Sequence, residues 1–238
     1  MRYNMVLPLS SAAAGLFLVI FAGRLAISEA ILLPVMQPIR ELRGGNSVDP
    51  AYLSQIIRYE NMSLAVFDSP MNWGDLGFAY TLQSTLPLSS PTEQKREPQE
   101  LQRLAQDALF NSLKLAPANP AIWTRLTFVS SQGARPLDAV LAFWRLAHVT
   151  GPNEPQLRLL RFQLGLSLWP NMNTEDKEWL FDDVYRAFYL QSQEVAQLAR
   201  DPFVRAIVRS ALLRDLPELK RFEGELAYAQ KQAPLTLP

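Results

Sequence analysis

Trp73, Leu76, Gly77 and Tyr80 stand at i, i+3, i+4 and i+7, a spacing that puts three large apolar side chains on one face of a helix. Gly77, beside Leu76, clears a side chain from that face, so a second helix must approach it closely. The residues that answer it come late but in phase: Ala105, Leu109, Ser112 and Pro117. A further round follows with Pro120, Trp123 and Leu126, then Ala139 and Phe143, then Gly151-Pro152. Eighteen prolines and ten glycines suit many short helices broken by turns better than a sheet.

Met5 to Gly23 carries no charge and is bracketed by Arg2 and Arg24. At about 1.5 Å per residue such a run is long enough to cross the hydrocarbon core as a helix. Three readings compete: a single-pass anchor through residues 5–23, a cleaved signal peptide, and a buried soluble helix. The length favours the anchor. Ser28-Glu-Ala30 offers a small-x-small cleavage site, but Arg24 and Glu29 interrupt the approach to it. The run is apolar all round, which disfavours a soluble helix. Positive-inside counting does not decide orientation, because Arg2 precedes the run while Arg24, Arg40 and Arg43 follow it.

Beyond Leu25 the apolar character persists to Val35, and Pro34 and Pro38 are expected to end the helix. Gly44-Gly45-Asn46 is a breaker. Asp49-Pro50 supplies an N-cap and a proline at the first helical position. Tyr52, Leu53, Ile56, Ile57 and Tyr59-Glu60 form an apolar stripe of a capping helix. Between the two helices of the first repeat lie about sixteen residues beyond the usual spacing of about 34. They include the polar stretch Ser89 to Pro98, read as an exposed loop containing Lys95-Arg96. The second helix is expected from Gln99 to Leu115. Pro120 to Gln132 and Pro136 to Val149 form the next pair, with Ala139, Val140, Phe143, Leu146 and Ala147 inward. Leu157, Leu160, Leu164 and Leu168 begin a third, degenerate repeat. The C-terminal part stays helical, with starts at Thr174, Asp201-Pro202 and Leu216-Pro217. The expected divisions are 1–43 (anchor and juxtamembrane segment), 44–69 (capping helix), 70–170 (repeats, with an inserted loop near 84–98) and 171–238 (helical cap).

Chemistry-bearing motifs are scarce. Lys plus Arg and Asp plus Glu number 23 each, so nothing draws the chain to nucleic acid. The chain has no cysteine, which rules out disulfides, thiol catalysis and zinc sites built on Cys. His148, the single histidine, falls near a helix C-terminus and reads as structural. Glu178, Asp182 and Asp183 read as a solvated helix face. Gly44-Gly45 lacks the Lys-Ser/Thr and the strand of a phosphate loop. Ser89-Ser90 and Ser130-Ser131 have no nearby base. The expectation is a protein without enzymatic activity, cofactor or metal.

From about Pro70 to Leu168 the chain resembles tetratricopeptide repeats, on Trp73/Leu76/Gly77/Tyr80 and, in part, Trp123/Leu126. The layout is also similar to membrane-anchored bacterial repeat proteins found with surface-polysaccharide assembly systems. That second resemblance is carried by Leu115 to Leu126, Thr150 to Pro155 and Leu166 to Trp169. The inserted first repeat and the third repeat's missing Trp and Gly depart from the pattern. The fold expected is all-α: an N-terminal transmembrane helix, a short repeat array and a helical C-terminal cap. The resemblance implies a protein-binding scaffold in the bacterial inner membrane, single-pass, with its bulk in the periplasm. In that register the groove would be lined by Met71, Phe78, Thr81, Thr124, Phe128, Ser131, Gln132, Gln156 and Gln163. That uncharged lining suits an extended peptide held by amides and apolar contact. Packing by the protein's own helices is the competing use of those positions. A structural or accessory subunit of an integral membrane complex is the alternative function, since Ala12 to Gly15 and Ala22-Gly23 offer small faces for helix contact.

Overall fold

The computed structural model describes residues 6–44, 48–86, 97–133 and 135–231, all of whose regular structure is helical. Met5, Gly45-Asn46 and most of the loop expected near 84–98, including Ser89-Ser90 and Lys95-Arg96, lie outside the described residues. The chain divides into two compact units, Met1–Pro117 and Ala118–Pro238.

In the first unit, α1 (Val6–Leu32) passes through a 3-10 turn (Leu33–Val35) into α2 (Met36–Arg43). Pro34 marks the end of α1, as expected. Pro38 does not end a helix; it sits in the first turn of α2, where a missing backbone N–H costs no helical hydrogen bond. α3 (Pro50–Val66) starts as predicted, with Asp49 accepting from the backbone N–H of Ala51 at 2.9 Å. α4 (Pro70–Thr85) and α5 (Pro98–Leu115) form an antiparallel pair. A Cβ built on Gly77 would lie 2.7 Å from Leu109 Cγ and 3.1 Å from the Ala105 carbonyl oxygen. The glycine is therefore what lets the two helices meet. Leu76, Tyr80, Ala105 and Leu109 are buried there, while Trp73 is half-buried and its indole N–H donates to Asp68. A second apolar group joins Leu32, Val35, Ile39 and Leu42 to Leu53, Ile56 and Ala79, so part of the segment expected as juxtamembrane is core.

In the second unit, α6 (Pro120–Ser131) pairs with α7 (Leu137–Thr150), and α8 (Pro155–Leu168) packs on α9 (Thr174–Leu190). α9 opens with a reciprocal capping box between Asn173 and Asp176, which satisfies two backbone donors at once. α10 (Ser192–Leu198), α11 (Pro202–Leu212) and α12 (Leu216–Lys231) complete it. One continuous core runs from Val140 and Trp144 through Phe162, Leu180 and Phe188 to Phe222 and Leu226. Two helices bury different faces from those expected. α7 turns Leu141, Trp144 and His148 inward and leaves Leu146 exposed. α8 buries Arg158, Arg161 and Phe162, with Leu157 and Leu160 only half-buried. The cause is polar: acids of α9 meet the two arginines, and the Trp144 indole donates to the Arg161 carbonyl at 2.9 Å.

Candidate functional site

Leu16 to Ile20 of α1 are 55–70% exposed, and the segment's mean hydropathy is 2.1. Apolar side chains on every side of a helix leave no polar face for water. The helix is long and apolar enough to cross a membrane, near the N-terminus, as an anchor or a signal sequence would be. Past that segment the same helix packs antiparallel on α3. Phe21 meets the Phe67 ring edge to face, with centroids 5.2 Å apart. Arg24 Nε donates to the carbonyl of Val66, the last residue of α3, at 2.8 Å, so a cation caps the negative end of that helix. Ser28 Oγ and Ser63 Oγ lie 2.6 Å apart, and Ser63 Oγ also donates to the Ser28 carbonyl at 3.1 Å.

Below this junction sits a buried polar group of α2, α3 and α4. Asn72 Nδ2 donates to Ser63 Oγ at 2.9 Å, and Arg43 Nε donates to Asp75 at 2.8 Å. Glu60 is fully buried, and neither carboxyl oxygen has a hydrogen-bond partner among the described residues. Burial first, and the nearby Asp75 charge second, push its carboxyl up to about 9, against a weaker opposing pull from Arg43. Glu60 is therefore a neutral acid at pH 7. The sequence places Glu60 at the end of the apolar stripe without singling it out; the buried face is Leu53, Ile56, Glu60 and Ser63.

The predicted groove positions fall in both units: Met71, Phe78 and Thr81 in the first, the remaining six in the second. Met71, Gln132, Gln156 and Gln163 are exposed; Phe78, Phe128 and Ser131 are half-buried. Thr81 and Thr124 are buried, with hydroxyls donating at 2.8 Å to the Gly77 and Pro120 carbonyls of their own helices. Ser131 Oγ likewise donates to the Phe128 carbonyl at 2.7 Å. Phe128 packs against the core of the second unit. Backbone bonds back to the preceding turn use these three hydroxyl donors, and Met71, Gln132, Gln156 and Gln163 are the positions left open to solvent.

Asp183, expected on a solvated face, is instead buried at the centre of an ionic cluster. The completely buried Arg161 donates to it through Nε at 2.9 Å and Nη2 at 2.8 Å. Its Nη1 donates to the Gly151 carbonyl at 2.7 Å. His148 Nε2 lies 2.7 Å from Asp183 Oδ2, and Nδ1 lies 3.0 Å from the Trp144 carbonyl oxygen. A carbonyl only accepts, so a proton on Nδ1 faces Trp144, while Nε2 faces the carboxylate that Arg161 holds through two hydrogen bonds. His148 also stacks on Trp179, with centroids 5.6 Å apart. Asp183, Arg161 and His148 thus each find their partners within the fold. The missed signal was Arg158, Arg161, Phe162 and Gly165 sharing one face of α8: charged residues on an apolar stripe require acids on the facing helix.

A scan against models of known protein families finds no match, and a search of curated protein sequences finds none either.

Proposed function

We propose that this chain is a membrane-anchored helical scaffold of the tetratricopeptide type, which binds protein partners and performs no chemistry of its own. The observation that carries the reading is the continuity of α1. A segment with Leu16 to Ile20 exposed runs without a break into a stretch locked on α3 by Arg24, Ser28 and Leu32. Cleavage after Ala30 would strip Phe21, Arg24 and Ser28 from their partners, so the packing supports a retained anchor over a cleaved leader. The Gly77 contact supports the repeat register, since it is the close approach that this pattern demands. The bacterial inner membrane, a periplasmic bulk and a role in envelope or surface-polysaccharide assembly rest on the sequence resemblance. Met71, Gln132, Gln156 and Gln163 are the proposed contact residues.

Two measurements test this. The mature protein purified from membranes should contain residues 6–30 by intact mass and resist carbonate extraction; a chain beginning after Ala30 overturns the anchor. Affinity purification should then recover partners with the wild-type chain that are lost from Gln156→Arg/Gln163→Arg. Recovery unchanged by that variant removes those glutamines from the interface. The accessory-subunit reading is favoured by Gly15 and Gly23, where a Cβ would meet nothing within 4 Å, leaving room for a partner helix at the backbone. It predicts stoichiometric co-purification in detergent that depends on those glycines.

A further inference from the structure

A cavity of about 600 Å³ opens on the second unit between the start of α8, the exposed side of α9 and the end of α11. That volume lies within the usual range for small-ligand sites. Its polar lining is lopsided: Arg158, Arg186 and Arg214 face a single carboxylate, Asp182. Asp182 is shared by all three guanidiniums, with nitrogen–oxygen distances of 2.8 Å to Arg186, 3.4 Å to Arg214 and 3.6 Å to Arg158. One acid thus sits under three permanent cations, leaving a formal excess of two positive charges at the lining. Arg158 is the unusual member. Its side chain is 4% exposed, its Nη2 donates to the Pro152 carbonyl at 3.2 Å, and its Nη1 is buried without a hydrogen-bond partner among the described residues. Asp183, 3.5 Å from that Nη1, is already held by Arg161 and His148. A buried guanidinium donor left unsatisfied beside a cavity is an incomplete site.

Two aromatic rings give the cavity a body as well as a charge. Tyr185 lies under the Arg214 guanidinium, 4.3 Å from ring centroid to Cζ, and its hydroxyl donates to Asp215 at 2.9 Å. Tyr189 stands at the rim, 67% exposed. The rings offer apolar faces beside forked cationic donors, the combination that recognises a planar or tetrahedral oxyanion on a ring.

We infer that this cavity binds a small organic anion, a carboxylate or a phosphate on a ring or other apolar body, with Arg158, Arg186 and Arg214 as its donors and the two tyrosines as its walls. The oxyanion completes Arg158 Nη1 and relieves the crowding of three cations on one acid. Asp182 opposes the ligand and sets an upper bound on affinity.

The test is calorimetric titration of the detergent-solubilised full-length protein with phenyl phosphate, benzoate, inorganic phosphate and, as the neutral control, phenol. Phenyl phosphate or benzoate should bind at least about tenfold more tightly than phenol, with the affinity falling as salt rises. A preference for phenyl phosphate assigns a phosphate ligand; a preference for benzoate assigns a carboxylate. Inorganic phosphate should bind more weakly than phenyl phosphate, because it leaves the tyrosine walls empty. Arg186→Gln and Arg214→Gln, both at exposed positions, should each weaken binding by about tenfold. Asp182→Asn should strengthen it by about fivefold. Helical content and melting temperature of each variant establish that it is folded. Anions that bind no better than phenol, or affinities unmoved by all three variants, overturn the proposal.

Discussion

Replacing Gly77 and Gly224 by alanine should have opposite effects, although both are helical. Alanine is favoured over glycine by about 1 kcal/mol in a helix interior, so the sign turns on what the new methyl meets. At Gly224 in α12 it meets nothing within 4 Å, and the full gain is expected. At Gly77 it would stand 2.7 Å from Leu109 Cγ, 2.9 Å from Leu109 Cδ2 and 3.1 Å from the Ala105 carbonyl oxygen. The closest contact falls about 0.7 Å short of ordinary van der Waals separation. Leu109 is fully buried and cannot swing into solvent, and the Ala105 oxygen belongs to the backbone of α5. The helices must therefore part, at a cost of about 1–3 kcal/mol for overpacking. Set against the propensity gain, Gly77→Ala should destabilise the α4–α5 pair by up to about 2 kcal/mol. Hydrogen exchange resolved by peptide reads each helix separately and needs no two-state assumption. Amides of α4 and α5 should exchange faster, by up to about 30-fold, in Gly77→Ala, while those of α12 slow in Gly224→Ala. Equal or slower exchange in Gly77→Ala would refute the close-approach argument.

Three further outcomes follow from the buried ionisable groups. The Glu60 carboxyl is raised in the fold to about 9, so the folded state binds its proton more tightly. Stability should fall as pH climbs from the ordinary carboxylate range, about 4.3, towards 9; in Glu60→Gln the slope over that window should shrink, as denaturant titrations across pH would show. Asp183→Asn leaves Arg161 buried without its counter-charge and should cost about 3–5 kcal/mol, measured by urea unfolding. Burial would raise the Asp176 carboxyl, but the Arg145 hydrogen bonds and the Asn173 backbone donor outweigh it and hold it low. Its contribution is present above the ordinary carboxylate range and is lost on acidification. Asp176→Asn should therefore flatten the acid limb of the stability curve and cost about 1–2 kcal/mol at pH 7.

Local signals carried most of the helix map. Asp49-Pro50, Asn119-Pro120 and Asp201-Pro202 open α3, α6 and α11 with side-chain caps in place, because a cap and its proline act within one turn of chain. Gly77 was legible for a related reason: a missing side chain inside an apolar stripe announces a neighbour. α10 was not foreseen, since seven residues give too little periodicity to register. The faces of α7 and α8 were misjudged because pattern reading ranks leucine above histidine and arginine for burial. That ranking fails where a second helix supplies the acid, and nothing local to Arg161 reveals Asp183. The anion cavity escaped for the same reason: Arg158 belongs to α8, Arg186 to α9 and Arg214 to the turn between α11 and α12, and only the packing gathers them.

The unbroken course of α1 also has a mechanical side. A flexible linker between a bilayer segment and a folded unit averages away orientation; a continuous helix behaves as a lever. On the anchored reading, any change in the tilt with which α1 accommodates bilayer thickness becomes a torque on Val66 and Ser63 of α3. Those residues sit one to two turns from Glu60, the neutral acid beside Asp75 and Arg43. On that same reading, membrane thickness would be joined to the packing around a single buried carboxyl.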